Sequence, residues 1–257
     1  MQALDRVLSV VDLLQLRPEL RLHEIAHELA LPKSTAHRIL GSLSERGFVQ
    51  RDPSSHRFRL GPKFIELGMH VIENLDLSRT ARSYVARLND HTHETVHLAT
   101  LVGDEVVYVD KRESQHAVRM YSFIGKRVPL YCTGAGKAIL AFQDPSLRDH
   151  LIDQIEFLRY TPKTITSPDE LREVLERIRK TGVAFDDEEH EKGIVCIAAP
   201  IRDYSNEVVA SVSVRAVVSR VSLKDLAVYR GELLATTNDI SLALGYSPTV
   251  NAAEVGP

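Results

Sequence analysis

The sequence predicts an α+β protein: an N-terminal winged helix-turn-helix, a linker helix and a larger C-terminal α/β domain. Three observations carry this prediction: three amphipathic segments followed by a hairpin pattern, a basic stretch in the same region, and a long second part in which helical and strand-like segments alternate. The 257 residues, 44% of them hydrophobic, suffice for two domains with their own cores.

Three segments in the first 45 residues have the 3.6-residue apolar period of amphipathic helices. The first places Leu4, Val7, Leu8, Val11 and Leu14 on one face. The second is "RLHEIAHELALP", and the third is "PKSTAHRILGSLSERG", whose predicted inward residues are Ala36, Ile39, Leu40 and Leu43. A tight turn near Leu31-Pro32 separates the last two, an arrangement typical of a helix-turn-helix.

A β-hairpin is predicted directly after the third helix. In "FVQRDPSSHRFRLG", an Asp-Pro-Ser-Ser turn joins two strands, and the second strand alternates Arg57 and Arg59 with Phe58 and Leu60. This hairpin would be the wing, so we assign residues 1–61 to the DNA-binding domain. The apolar spacing of "PKFIELGMHVIENLDL" predicts a linker helix over residues 62–76.

The remaining chain predicts an α+β domain over residues 77–250 with a mainly antiparallel sheet, followed by a tail at residues 251–257. The predicted helices are Ser78–Asp90, Gly136–Phe142, Leu147–Ile155, Pro168–Lys180 and Leu223–Leu244. The predicted strands are "TVHLATLV", "EVVYVDKR", "AVRMYS", "IVCIAAPIRD" and "EVVASVSVRAVV". The charge run "DDEEHEK" between two of these segments is expected to be a solvated loop.

Composition favours a cytoplasmic protein without a membrane span. No apolar run approaches the roughly 20 residues that cross a bilayer, and Asp5, Arg6 and Asp12 interrupt the N-terminal segment, which is therefore not expected to be a signal peptide. Two cysteines, Cys132 and Cys196, are too few for a disulfide framework. Neither has a CxxC partner or an obvious basic neighbour, so inert thiols are expected, with redox sensing as the alternative.

"HTHETVH" contains the HExxH pattern of zinc proteases at His93, Glu94 and His97. That chemistry needs a helix, on which the two histidines share a face. The Val- and Thr-rich surroundings and the Val102-Gly103-Asp104-Glu105 turn instead predict a strand, on which the histidines would lie about 13 Å apart. We therefore predict no catalytic residue, no metal and no cofactor, and keep a metal-dependent hydrolase as an alternative.

Charge is concentrated where the helix-turn-helix is predicted. The whole chain has a net charge of −3, yet from Lys33 to Lys63 seven basic residues face two acidic ones, a local charge of +5. Helix-terminal hydroxyls suit phosphate, Arg38 suits a guanine edge in the major groove, and Lys33 suits the backbone. The predicted DNA-binding residues are Lys33, Ser34, Thr35, His37, Arg38, Arg46, Arg57 and Arg59. The alternative is an ordinary solvated helix and hairpin.

Several stretches resemble the IclR family of bacterial transcriptional regulators. The N-terminal ones are "RVLSVVDLLQ", "LHEIAHELALPKSTAHRILGSLSERGFVQRD" and "RFRLGPKFIELG"; the later ones are "RMYSFIGKRVPLYCTGAGKAILA", "GVAFDDEEHEKGIVCIAAPIRD" and "ASVSV". Within the family, "ETVHLATL" and "VVYVDK" resemble most the KdgR-like subgroup of ketodeoxygluconate repressors. The resemblance implies a GAF-like effector-binding domain. A DNA-binding protein without a small-molecule effector remains the alternative.

The resemblance also implies ligand contacts, on the backbone of Gly134 and Ala135 and on the side chains of Asp186, Cys196 and Ser213. Small residues before a helix let amides approach a carboxylate, Asp186 can accept from hydroxyls, and Ser213 can donate.

Arg215 stands where the family commonly has serine. In "SVSVR" the period of two places Ser211, Ser213 and Arg215 on one strand face. A guanidinium there would bind a carboxylate with two hydrogen bonds, which predicts an acidic sugar or keto acid as effector. In the alternative, Arg215 pairs with Asp186 or Glu188 and closes the pocket.

One winged helix makes few base contacts, so a near-palindromic operator bound by a homodimer or homotetramer is expected. The expected partners are double-stranded operator DNA and a small organic acid such as 2-keto-3-deoxygluconate. The expected function is a ligand-responsive regulator of a sugar-acid or keto-acid catabolic operon, with a repressor favoured and an activator as the alternative.

Overall fold

The computed structural model describes residues 2–67, 76–117 and 120–248. The chain divides into two compact units, Met1–Leu75 and Asp76–Pro257. Of the predicted linker helix at residues 62–76, residues 63–67 are helical and residues 68–75 lie outside the described part, as does the predicted tail at 251–257. No helix in the described part is both long and apolar enough to cross a membrane.

The first unit has the predicted winged helix-turn-helix order. Its elements are α1 (Gln2–Leu16), α2 (Leu22–Glu28), α3 (Lys33–Glu45), β1 (Val49–Arg51) and β2 (Phe58–Leu60). The two strands pair antiparallel, and Leu20 exchanges two backbone hydrogen bonds with Phe58 at the hairpin's edge. The core contains the inward residues of all three helices and the hairpin: Val10, Leu14, Leu20, Ile25, Ile39, Leu40, Leu43, Val49 and Phe58.

The second unit is the predicted α+β domain. Its helices are α4 (Leu77–Thr92), α5 (Gly134–Leu140), α6 (Pro145–Gln154), α7 (Pro168–Thr181), α8 (Leu223–Leu226) and α9 (Arg230–Ala243). Its strands are β3 (Thr95–Val102), β4 (Glu105–Arg112), β5 (Arg127–Val128), β6 (Ala184–Asp187), β7 (Ile194–Arg202) and β8 (Val208–Val217). The strands form one antiparallel sheet in the order β5-β4-β3-β8-β7-β6.

Both faces of the central strands are buried. Along β8, Ser213 and Arg215 face one side and Val212 and Val214 the other, as the alternation predicted. Helices α5 and α7 share a core with Tyr108 and other residues on the Ser213 side, while α4 and α9 pack on each other and on the sheet. The polar face of β8 is therefore enclosed within the domain.

Three local predictions were wrong, and two short strands were missed. In "AVRMYS", the described residues, 117 and 120–122, form no strand, whereas the short strands β5 and β6 were not predicted. The last predicted helix is divided by a 3-10 turn at Ala227–Tyr229. His93 does not lie on a strand: it ends α4 in a left-handed conformation (φ 57°), and β3 begins two residues later.

Candidate functional site

Helix α3 presents a polar and basic face because its apolar face is used in the core. Ala36, Ile39, Leu40 and Leu43 are buried, as the helical period predicted. Lys33, Ser34, His37 and Arg38 are exposed, and Thr35 is half-buried. Lys33, Ser34 and Thr35 form the first turn, where free backbone amides favour an anion. One end of α3 thus combines hydroxyls, amides and cations.

The wing is held rigid by its turn. One Asp52 carboxylate oxygen accepts hydrogen bonds from the backbone amides and hydroxyls of Ser54 and Ser55, at 2.6 to 3.0 Å. These hydrogen bonds, of which the one from the Ser54 hydroxyl has the largest effect, hold the pKa of Asp52 far below its usual value. The Asp52 carboxylate therefore stays ionised. Arg59 is exposed on β2, opposite Gln50.

Arg57 does not extend from the wing as predicted. It precedes β2, and its Nη1 donates to the Glu19 carbonyl oxygen at 2.8 Å and lies 3.7 Å from Glu24 Oε2. Its charge is therefore directed into the first unit. Arg46 is exposed but caps the C-terminal end of α3, far from Lys33. Arg51, not among the predicted site residues, is exposed on β1 and lies over the Phe58 ring at 5.7 Å.

In the second unit, strand pairing brings the predicted effector residues together. Asp186 of β6 pairs with Cys196 of β7, which pairs with Arg215 of β8, so the three side chains form one row across the sheet. Ser213 lies one position along the same face of β8. All four side chains are at most 2% exposed.

Helix α5 begins over this row. A Cβ on Gly134 would lie 2.7 Å from Cys196 Sγ, so only glycine lets the backbone come this close to the sheet. Thr133 caps the helix through the Gly136 amide at 3.0 Å, and Ser211 Oγ donates to the Ala135 carbonyl at 3.2 Å. Among the described residues, no acceptor contacts the buried amides of Gly134 and Ala135.

Arg215 has weaker partners than a buried guanidinium usually requires. Its Nη1 donates to Tyr108 Oη at 3.2 Å, and its Nη2 lies 3.4 Å from Glu191 Oε2. The alternative that paired it with Asp186 or Glu188 was wrong about the partner. Glu188 instead bonds Lys163 at 3.0 Å and accepts from the Gly193 amide at 2.7 Å.

The acidic loop expected to be solvated is partly folded over the row. Asp186 accepts from the Glu189 amide at 2.8 Å, and burial raises the pKa of Asp186 against the opposing charges of Arg215 and Lys137. Burial also raises the pKa of Glu189 to about 7, although Lys137 donates to it. Burial acts in the same direction on Glu191, but Arg215 and Lys126 outweigh it and lower the pKa of that carboxyl.

Lys137 and Tyr108 belong to this site but were not predicted. Lys137 is 1% exposed and pairs with Glu189, which ties α5 to the acidic loop. Tyr108 stacks on His97 with ring centroids 4.1 Å apart. The position of Lys137 directly after the "TGAG" turn could have indicated it, whereas nothing local to the sequence places Tyr108 beside Arg215.

Both cysteines are buried thiols with suppressed ionisation. Burial raises the pKa of Cys196 to about 12, and it raises the pKa of Cys132 further. Because the thiolate is the reactive form, neither is poised for redox chemistry. Cys196 serves as the floor on which Gly134 packs.

The HExxH residues are separated by the boundary between α4 and β3. Glu94 is 2% exposed, and its carboxylate accepts from Arg220 Nε at 2.9 Å and Nη2 at 2.6 Å. His97 Nε2 is 2.8 Å from Ser122 Oγ. Throughout residues 2–67, 76–117 and 120–248, no three His, Cys, Asp or Glu side chains form a metal-binding group. Glu94 is thus a structural ion-pair partner.

Both units match family models. Residues 3–53 match the IclR helix-turn-helix domain, and residues 69–242 match the bacterial transcriptional regulator IclR C-terminal model. The Escherichia coli HTH-type transcriptional regulator XynR is 33% identical over 246 residues, covering 95% of this chain and 98% of XynR. The E. coli regulator KdgR is 35% identical over 241 residues, covering 94% and 92%.

Solved structures agree over almost the whole chain. The Agrobacterium tumefaciens repressor BlcR has a TM-score of 0.82 at 31% identity, covering 96% of this chain and 99% of BlcR. The Thermotoga maritima IclR structure has a TM-score of 0.65 at 35% identity, covering 96% and 100%. With a helix-turn-helix unit and an effector-domain unit both matched, this chain is a DNA-binding transcriptional regulator, not an enzyme, and it belongs to the IclR family.

Proposed function

We propose that this protein represses an operon for the catabolism of a sugar acid or keto acid, and that it does so by binding a near-palindromic operator in the cytoplasm. An organic acid such as 2-keto-3-deoxygluconate is the proposed effector. The observation that carries the effector class is the buried guanidinium of Arg215, whose two protein contacts are both longer than 3.1 Å.

The hydrogen-bond donors of Arg215 support an anionic ligand, although the three cations Arg215, Lys137 and Lys126 are matched in number by the carboxylates of Asp186, Glu189 and Glu191. Arg215 and Lys137 are buried cations, and Lys137 has a close carboxylate in Glu189. Glu191 is shared between Arg215 and Lys126, and Lys126 is the nearer partner: its Nζ lies 3.0 Å from Glu191 Oε1. A guanidinium has five donors, and Arg215 uses two of them within the described part of the chain. A ligand carboxylate would use remaining donors in a bidentate pair.

The amides that begin α5 offer a second set of donors for the same class of ligand. Gly134 lies over Cys196, the neighbour of Arg215 in the cross-strand row, and Ala135 follows it in the first turn of α5. An acid held between these amides and Arg215 would contact both a helix and the sheet. Binding would then favour one arrangement of those elements, and effector affinity must differ between the DNA-binding and non-binding states for regulation to occur.

The similar proteins support two parts of this proposal, the KdgR-like subgroup and repression. KdgR and XynR match at similar identity, so the KdgR-like subgroup is part of the proposal. Repression is proposed because relatives named IclR, AllR and BlcR are described as repressors.

A homodimer formed through the first unit is proposed from two features, and a homotetramer formed through the second unit is proposed from the family resemblance. Leu4 and Leu8 of α1 are more than half exposed, and Leu8 lines an apolar groove together with Val7, Val11 and Phe64. One α3 helix also offers a single major groove too few contacts for operator specificity. Two copies would present two helices to successive half-sites.

Operator binding is tested by fluorescence anisotropy with the intergenic DNA that adjoins the gene. Arg38→Ala should weaken binding by about 10- to 100-fold per bound copy, at a loss of about 1–3 kcal/mol. Lys33→Ala should lower the slope of log affinity against log salt by about one per phosphate contact. Arg177→Ala, an exposed arginine on α7, is the control and should change neither. The proposal is overturned if the wild-type protein binds none of the intergenic DNA fragments.

The effector class is tested by calorimetry with 2-keto-3-deoxygluconate, D-gluconate, D-xylonate and pyruvate. Arg215→Ala should abolish measurable binding, and Arg215→Lys should restore only part of it because lysine cannot form the two parallel hydrogen bonds. Unchanged affinity in Arg215→Ala would exclude the direct contact. If the protein binds DNA and no acid raises its melting temperature in a thermal shift screen, the alternative of a regulator without an effector is supported.

A further inference from the structure

The Ser213 hydroxyl is buried without an oxygen or nitrogen partner in the described part of the chain, and the same is true of His97 Nδ1. Both side chains are 0% exposed. The Cys196 thiol beside Ser213 is at most a weak partner. Leaving such a group unpaired costs about 1–3 kcal/mol. Two such atoms close together indicate that a polar group of a ligand binds here.

Strand pairing places these two residues side by side. His97 of β3 and Ser213 of β8 are direct partners in the register, so their side chains lie on the same face with Cβ atoms about 4.5–5.5 Å apart. On the other side of Ser213, β7 contributes Ala198, which contacts the start of α5 at Gly134. His97, Ser213 and Ala198 therefore form one cross-strand row, and this row is next to the row that contains Arg215.

His97 is held in place by its other contacts. Its Nε2 bonds Ser122 Oγ at 2.8 Å, and its ring stacks on Tyr108 at 4.1 Å. Burial, with the nearby charges of Arg215 and Lys111, lowers the pKa of His97 well below its ordinary value, so the ring is neutral. The Ser122 bond allows either tautomer, so Nδ1 either donates or accepts.

These features define the chemistry of the ligand group that would bind here. A neutral ring does not attract a carboxylate, whereas a hydroxyl donates and accepts and so fits either tautomer of His97 as well as the Ser213 hydroxyl. We propose that His97 and Ser213 together bind a hydroxyl of the effector, and so select polyhydroxy acids over short keto acids. This rests on the proposed function only in taking the effector to be an organic acid. His97 is outside the residues that the family resemblance implied.

Two substitutions of His97 separate ligand binding from a structural role. Asparagine keeps a polar atom near the position of Nδ1, and glutamine keeps one near that of Nε2, which faces Ser122. In calorimetry with the full chain, His97→Gln should lower the affinity for D-gluconate, D-xylonate and 2-keto-3-deoxygluconate by about 10-fold or more. His97→Asn should stay within about threefold of wild type, and pyruvate should bind both alike.

Ser213→Ala supplies a test that misfolding cannot imitate. Removing an unpaired buried hydroxyl should leave the melting temperature unchanged or raise it, while the affinity for the hydroxylated acids falls by about 10-fold. A lower melting temperature with an unchanged affinity would overturn the inference. So would equal losses in His97→Asn and His97→Gln, or an equal loss for pyruvate.

The same titrations separate this inference from the proposed function. If the wild-type protein binds none of the acids, the proposed effector class fails and the inference fails with it. If wild type binds them and neither His97→Gln nor Ser213→Ala changes the affinity, the inference alone fails and the acid-responsive regulator stands.

Discussion

Replacing Arg220 with alanine should destabilise the second unit by about 3 kcal/mol, because the change leaves a buried carboxylate without its cation. Glu94 is almost inaccessible, and both of its oxygens accept hydrogen bonds from Arg220. Loss of one member of a buried pair costs about 3–5 kcal/mol. The lower end applies because Arg220 is 25% exposed and His116 Nε2 lies 3.6 Å from Glu94 Oε1.

Urea unfolding of the full chain measures this loss. For a slope near 2 kcal/mol per molar urea, the midpoint of the second unit's transition should fall by about 1.5 M. Arg87→Ala is the matched control, because the Arg87–Asp239 pair at 3.1 Å is largely exposed and its loss should cost at most about 0.5 kcal/mol. The double variant Glu94→Gln with Arg220→Met should recover much of the stability.

The result that refutes this reasoning is an Arg220→Ala midpoint no lower than that of Arg87→Ala. Glu94 would then be hydrated despite its burial, and the ion pair would be incidental. A hydrolase would behave differently, since Glu94→Gln would abolish an activity and leave the fold intact. Here the same change should lower the melting temperature.

Three further predictions concern the wing, the oligomer and acid stability. Arg59→Ala should weaken operator binding at unchanged stability, whereas Arg57→Ala should cost about 1 kcal/mol of stability in urea unfolding, because its contacts lie within the first unit. Leu8→Glu should lower the sedimentation coefficient to that of a smaller assembly without lowering the melting temperature, because Leu8 is exposed in the single chain. Below pH 6.5 the unfolded chain binds protons that two histidines of the folded chain do not: buried His97, and half-buried His190, whose pKa is lowered by partial burial to about 4. Melting temperatures should therefore fall as the pH drops from 6.5 toward 4, and His190→Phe should make the fall less steep.

The recognition helix was predictable because one physical rule decides its faces. A helix that packs on a core buries every third or fourth residue, and the apolar spacing of α3 identified Ala36, Ile39, Leu40 and Leu43 before any fold was known. The exposed positions followed as the remainder. The position of the Arg57 side chain was not predictable in this way, because its partner, the Glu19 carbonyl, is 38 residues away along the chain. No local period encodes such a contact.

The polar face of β8, the proposed effector site, was predictable along the strand but not across the sheet. Alternation in β8 placed Ser213 and Arg215 together, but the identity of their neighbours depends on register, which brings His97 and Cys196 from distant segments. The acidic run was expected in solvent because most charge runs are solvated. Three of its carboxylates instead turn inward, since Lys137, Arg215 and Lys126 supply cations that the linear sequence does not reveal.

The two halves of the chain use charge in opposite ways, and this determines how mutations in them should behave. Cations on α3 are exposed, so under the proposed function their removal should cost DNA affinity and little stability, because exposed ion contacts contribute little to folding. Cations at the sheet are buried, so each must be compensated and each substitution there changes folding and ligand affinity together. Ser213 is the informative exception: its hydroxyl has no oxygen or nitrogen partner among the described residues, so it opposes folding, and such a cost is typical of binding sites. The sign of the stability change in Ser213→Ala therefore distinguishes a binding residue from a packing residue.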